Sequence, residues 1–146
     1  MDLEKLINKK IKIEGGYTDE KIKASESTLG FKLPSDLVNI YKQTNKIQFG
    51  QNAYCVSLDK KTNWIDFNSF HDLNWLVQER ENDLKNEVYI FQKDYMQIGT
   101  TFGQDLILIG IKTENVNSIF FYSEEDEIIK LGNSIFEFIN ENLILM

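Results

Sequence analysis

The sequence is poor in the residues that chemistry and covalent bracing usually require. Of its 146 residues one is cysteine (Cys55), one is histidine (His71) and one is proline (Pro34). A single cysteine excludes an intramolecular disulfide framework and any multi-cysteine metal site, and a reducing cytoplasm is the setting expected from it. One histidine and one cysteine cannot furnish a structural zinc set, and no spaced run of Asp and Asn resembles a calcium loop. No metal and no cofactor is therefore expected. Long apolar runs are also missing: Leu106 to Ile111, the longest, includes Gly110 and falls far short of the roughly 20 residues that cross a bilayer. The opening Met-Asp-Leu-Glu-Lys has no basic, apolar and small-residue succession of the kind that marks a secretory signal. A soluble protein with no membrane partner is the expectation.

What is present suits a single packed core. The chain is 42% hydrophobic, with 10 Phe, 6 Tyr and 2 Trp, and its length predicts one domain over residues 1–146 that buries most of its unfolded surface. The net charge of −7 is unevenly distributed. Residues 1–50 hold 9 Lys and 7 acidic residues, whereas the remainder holds 7 Lys or Arg against 16 Asp or Glu. A surface that neutralises phosphates needs clustered Lys and Arg, so nucleic acid is not the expected partner of the later part and a basic protein is.

Taken in order, Leu3, Leu6 and Ile7 form a short amphipathic opening that Gly15-Gly16 interrupts. Thr18 is placed to cap a helix with Asp19 and Glu20 in its first turn. Ile22, Leu29 and either Ala24 or Ser25 form its inner stripe, and Gly30 ends it. Pro34, with φ preset for a first turn, opens a second helix whose core stripe is Leu37, Ile40, Tyr41 and Thr44, with Asn45 as terminator. Tyr54 to Leu58 alternates as a half-buried strand does. Trp64, Ile65 and Phe67 suggest an extended piece, after which Asn68 or Ser69 would cap a third helix carrying Leu73, Leu76 and Val77 and dissolving over Asn82 to Glu87. Val88–Phe91, Tyr95–Ile98, Leu106–Ile111, Ser118–Tyr122 and Ile128–Leu131 are rich in β-formers and read as strands of a sequential meander. Leu106–Ile111, apolar in both alternating phases, should be central and covered on both sides. Asn133 or Ser134 caps a last helix with Ile135, Phe136, Phe138, Ile139 and Leu143 on its buried side.

Two regions carry a resemblance to a known group. The first is Ile22, Glu26, Leu29-Gly30-Phe31, Leu33-Pro34-Ser35-Asp36-Leu37, Ile40-Tyr41 and Asn45. The second is Ile98-Gly99, Gly103-Gln104-Asp105, Leu106–Ile111, Ile119–Tyr122 and Asn133-Ser134-Ile135-Phe136-Glu137-Phe138-Ile139. Their order and spacing, over about residues 17 to 143, resemble the SUKH superfamily of fungal cell-wall regulators and bacterial immunity proteins. The chain departs from that pattern at Lys46-Ile47, where glycines usually follow the asparagine. The resemblance implies an α+β fold: a mostly antiparallel sheet of about five to six strands, packed by two N-terminal helices, a middle helix and a C-terminal helix. It implies a non-enzymatic immunity protein that binds and neutralises a cognate bacterial polymorphic or contact-dependent toxin encoded by a neighbouring gene. A regulatory or scaffold module of the same fold is the alternative.

The residues offer little competing chemistry. His71 adjoins Asp72, but neighbours on a helix do not face each other, so His71 reads as a surface or helix-start residue. Cys55, on a strand pattern without a positive neighbour, reads as a buried structural thiol. Gly99-Thr100-Thr101-Phe102-Gly103 lacks the Gly-Lys-Ser/Thr ending of a phosphate loop and reads as a turn. A small hydrolase using Asp105 and Glu125 is a third reading. The strongest charge feature is the run Glu124, Glu125, Asp126 and Glu127, either a solvated hairpin turn or an acidic patch facing a basic partner. Asp105 and Glu114 could share one rim of the sheet with it. Trp64 and Trp75 are the aromatic anchors an interface would use, or parts of the core.

Overall fold

A computed structural model of the chain describes residues 12–13, 15–45, 47–48, 53–55, 65–86, 93–101, 103, 105–122 and 127–145. The helices are α1 (Asp19–Leu29), α2 (Ser35–Gln43), α3 (Leu73–Asn86) and α4 (Ile135–Glu137). The strands are β1 (Lys12–Ile13), β2 (Ile47–Gln48), β3 (Ala53–Cys55), β4 (Ile65–Phe70), β5 (Tyr95–Thr101), β6 (Leu106–Gly110), β7 (Ile119–Tyr122), β8 (Ile128–Gly132) and β9 (Leu143–Leu145). The architecture is α+β. The five longest strands, β4 to β8, pair antiparallel in chain order, as a meander should. The short β1 and β2 extend the sheet beyond β4, and β3 pairs both β4 and β9.

Helix α1 begins and ends where its residues dictate. The Thr18 hydroxyl accepts from the Lys21 N–H at 3.2 Å, and Gly30 closes the helix at φ +84° while its N–H donates to the Glu26 carbonyl. That left-handed turn favours glycine because it places no Cβ against the carbonyl. Glu26, one of the residues that carry the SUKH resemblance, acts locally. Its Oε2 accepts from the Leu33 N–H at 2.7 Å, which fixes the turn into α2. Ile22 and Ser25 face inward and Ala24 faces solvent, settling the alternative left open by the periodicity.

Helix α2 starts one residue after Pro34 and borrows its cap from far along the chain. Asn117, with φ +69°, accepts from the Asp36 N–H through Oδ1 at 3.1 Å and donates through Nδ2 to the Ser35 hydroxyl at 3.3 Å. Asparagine tolerates this backbone conformation better than other side chains that carry a Cβ. Asn117→Ala should therefore cost about 1–2 kcal/mol, the sum of a lost cap and a strained backbone. Asn117→Gly removes only the cap, so its urea midpoint should fall between those of the wild type and the alanine variant. At the other end the helix stops at Gln43, and Thr44 rather than Asn45 is the terminating position.

Three further boundaries differ from expectation. Strand β4 continues through Asn68 and Ser69, and the cap of α3 is Asp72, whose Oδ1 accepts from the Trp75 N–H at 2.8 Å. Asp, Asn and Ser cap comparably well, so residue type alone does not favour Asp72 over the expected Asn68 or Ser69. Helix α3 then persists to Asn86 although its second half is polar; its inward turns, Leu73, Leu76 and Val77, pack on the core. The last helix is a single α turn followed by a π-helical turn, Phe138–Asn142, so Leu143 belongs to β9 and Phe136 is 37% exposed. Its start is as expected: Ser134 accepts from the Glu137 N–H, and the Glu137 carboxylate reaches back to Asn133. Residues 3–7, 56–58 and 88–91 lie outside the described residues.

Between helices and sheet lies one large core, including Ile22, Leu37, Tyr41, Leu76, Ile107 and Phe138. Strand β6 is buried along its whole length, as its unbroken apolar run requires. Its Ile107 and Ile109 face the helices, and Leu106 and Leu108 face the opposite side. Strand β5 changes phase at an irregularity between Gln97 and Gly99, so that Met96 and Ile98 are buried and then Gly99 and Thr101. The segment expected to be a turn from Gly99 is thus strand as far as Thr101.

Candidate functional site

The antiparallel register decides which of the candidate residues can act together. Leu106 of β6 lies opposite Tyr122 of β7, and Tyr122 lies opposite Ile128 of β8. Asp105 and Glu127 each precede one of these residues, so both sit at the same end of the sheet. Residues 123–126, which join β7 to β8 there, lie outside the described residues, and Glu124, Glu125 and Asp126 with them. Asp105 is held by a tight turn: its N–H donates to the Thr101 hydroxyl, and its carbonyl accepts from the Thr101 N–H, each at 3.0 Å.

Glu114 does not share this rim. It lies in the loop between Gly110 and Ile119, at the opposite end of β6, which at about 3.4 Å per residue puts the length of the strand between it and Asp105. Being on adjacent connections does not put two residues on one edge, because successive connections of a meander alternate ends.

The other face of the sheet carries a second apolar cluster that no expectation from the sequence singles out. On the side of the sheet away from the helices, Leu106, Leu108 and Phe120 form a second apolar cluster, bordered by the half-buried Tyr95, Tyr122 and Ile128. Tyr95 and Phe120 meet edge to face with ring centroids 5.0 Å apart. The signal for it is the second phase of β6 and β7: Ile107, Ile109, Ile119 and Phe121 serve the main core, leaving Leu106, Leu108, Phe120 and Tyr122 for the other face. The cluster's centre is buried, and the part of its border that meets the carboxylates is the half-buried pair Tyr122 and Ile128, an aromatic and an aliphatic side chain of the kind that protein interfaces use.

Trp75 lies elsewhere. It packs against the helix-side core and stacks on His71, with ring centroids 3.5 Å apart and planes at 29°. Trp64 is outside the described residues. His71 is held at both backbone atoms, its N–H donating to the Ile98 carbonyl and its carbonyl accepting from the Tyr41 hydroxyl. Burial lowers its pKa from 6.5 to about 4, against a smaller opposing effect of Asp72. Its Nε2 is buried and finds no hydrogen-bond partner among the described residues. The folded protein thus keeps this imidazole neutral, whereas the unfolded chain takes up a proton below about pH 6.5. Stability contributed this way is present above pH 6.5 and is lost as pH falls towards 4. Because the side chain is only partly buried, about 1 kcal/mol is expected from it. His71→Phe, which keeps an aromatic ring on Trp75, should lose less stability than the wild type between about pH 7 and pH 4.5 in paired urea titrations.

A cleft of about 210 Å³ between α1 and α3 is lined by residues including Lys21, Ser25, Thr28, Gln78 and Glu81. Among the described residues no three His, Cys, Asp or Glu side chains gather as metal ligands, and no helix is long and apolar enough to cross a membrane.

A meandering antiparallel sheet with helices on one side, two N-terminal helices joined through a Glu-fixed Leu-Pro turn, and a capped closing helix define a small α+β domain. A family model, the SMI1 / KNR4 family (SUKH-1), matches residues 16–141. The chain belongs to this family. No curated protein matches it.

Proposed function

We propose that this chain is a non-enzymatic immunity protein that binds and neutralises a cognate bacterial toxin in the cytoplasm, the toxin being encoded by a neighbouring gene. The observation that carries this reading is the convergence of Asp105 and Glu127 at one end of the sheet, next to the Tyr122 and Ile128 border of the outer apolar cluster. The partner lays a basic, partly aromatic surface on this face. Its lysines and arginines meet the carboxylates, and its apolar side chains cover Tyr122 and Ile128. The adjoining Glu124, Glu125 and Asp126 add to the negative potential, which speeds encounter and excludes acidic competitors. Where the toxin is a nuclease, these carboxylates occupy the place of substrate phosphates.

Co-expression with the product of the adjacent gene, followed by pull-down and a survival assay, tests this. Protection that depends on the chain, together with a stable complex, is the expected result; equal survival with and without the chain would refute it.

A further inference from the structure

The turn between α1 and α2 carries a second surface, opposite in charge to the first and sharing no residue with it. A hollow of about 650 Å³ is lined by Lys23, Glu26, Ser27, Gly30, Phe31 and Lys32. Its floor is mainly apolar and includes the half-buried ring of Phe31. The Arg80 guanidinium lies 5.5 Å from the centre of that ring, and Nη1 of Arg80 donates to the Tyr95 carbonyl at 2.8 Å. The guanidinium, itself anchored on that carbonyl, gives the ring a cation–π neighbour.

The lining carries two lysines and one carboxylate and so keeps one positive charge in excess. The Glu26 carboxylate keeps its charge, with one oxygen held by the Leu33 N–H, and Arg80 has Asp83 as its own acidic neighbour. Lys23 and Lys32 are exposed, and neither forms an ion pair among the described residues. Gly30, between them along the rim, has open space where a side chain would stand, so a bound backbone can approach closely. Two such lysines flanking an apolar floor form a locally positive site on a protein of net charge −7.

We infer that this hollow binds an acidic peptide segment of a partner protein, seating one apolar side chain against Phe31 and placing carboxylates beside Lys23 and Lys32. The overall negative charge works in favour of the assignment. A net charge of −7 opposes unspecific binding of an acidic peptide, and the position of the shifted amides identifies the site.

The test is a titration of the full chain, labelled with 15N, with the peptide Glu-Glu-Phe-Glu-Glu, followed through the amide resonances. Saturable shifts confined to the neighbourhood of Lys23, Ser27, Gly30, Phe31 and Lys32 are expected, weakening as salt is raised. The double variant Lys23→Gln/Lys32→Gln, its fold verified by an otherwise superimposable spectrum, should bind at least about tenfold more weakly, since each exposed charge contact contributes a modest amount. Absence of saturable shifts at these amides, or an affinity unchanged in the double variant, overturns the proposal. Tighter binding of a single-stranded oligonucleotide at the same amides overturns the assignment to a peptide, because phosphates would then be the preferred anions.

Discussion

Gly99→Ala should destabilise the protein by about 3 kcal/mol or more, lowering the melting temperature by about 10 °C for a domain of this size. Gly99 lies in β5 between β4 and β6, and a methyl group there would overlap the backbone oxygen of Ser69 and press on Phe70. No rotamer relieves a Cβ contact with a backbone atom. The strands must separate, and irregularities already interrupt the register on both sides, between Phe67 and Ser69 and between Gln97 and Gly99. Thermal melts of the purified variant measure the effect. A change below about 1 kcal/mol would mean that β4 and β5 part here without cost to the rest of the sheet.

The second large effect concerns binding rather than folding. Asp105→Lys combined with Glu127→Lys should weaken the proposed complex with a toxin at least about 100-fold, or roughly 2.7 kcal/mol. Most of the loss should appear as a slower association rate that no longer falls as salt is raised, because marginal charges act mainly on encounter. Both residues precede strands at one end of the sheet and Glu127 is exposed, so circular dichroism should be unaltered. Glu114→Lys is the internal control. It lies at the far end of β6 and should leave the association rate within about twofold of wild type if the partner covers only the Asp105 end. Equal effects of the two changes would mean that charge acts through the field of the whole molecule and not through a docked face.

How legible these features were depends on how local their causes are. The limits of α1 follow from Thr18 and Gly30, and the start of α4 from Ser134, because each cap lies beside the helix it serves. The central place of β6 follows from its apolar run in both phases, because only a strand covered on both faces tolerates that pattern. The cap of α3 was misplaced because Asn68, Ser69 and Asp72 are all good capping residues. The choice among them is made by β4, which stays paired with β5 up to Phe70. Leu143 fits a helical stripe by spacing but is drawn into pairing with Cys55 of β3, a contact no local pattern contains. For the candidate site, the acidic residues were visible as residue types, but their grouping was not. Register across β6, β7 and β8 joins Asp105 with Glu127 and removes Glu114.

The Asn117 cap also bears on the order in which the chain can assemble. Asn117 and Asp36 are 81 positions apart, so the first turn of α2 is completed only after the loop between β6 and β7 has formed. A chain emerging from the ribosome amino-terminus first carries α2 without that cap until residue 117 has cleared the exit. Closing so long a loop has an entropic cost that local helix formation does not. The cap should therefore be a late contact, absent from the folding transition state, and its removal should accelerate unfolding while leaving the refolding rate nearly unchanged.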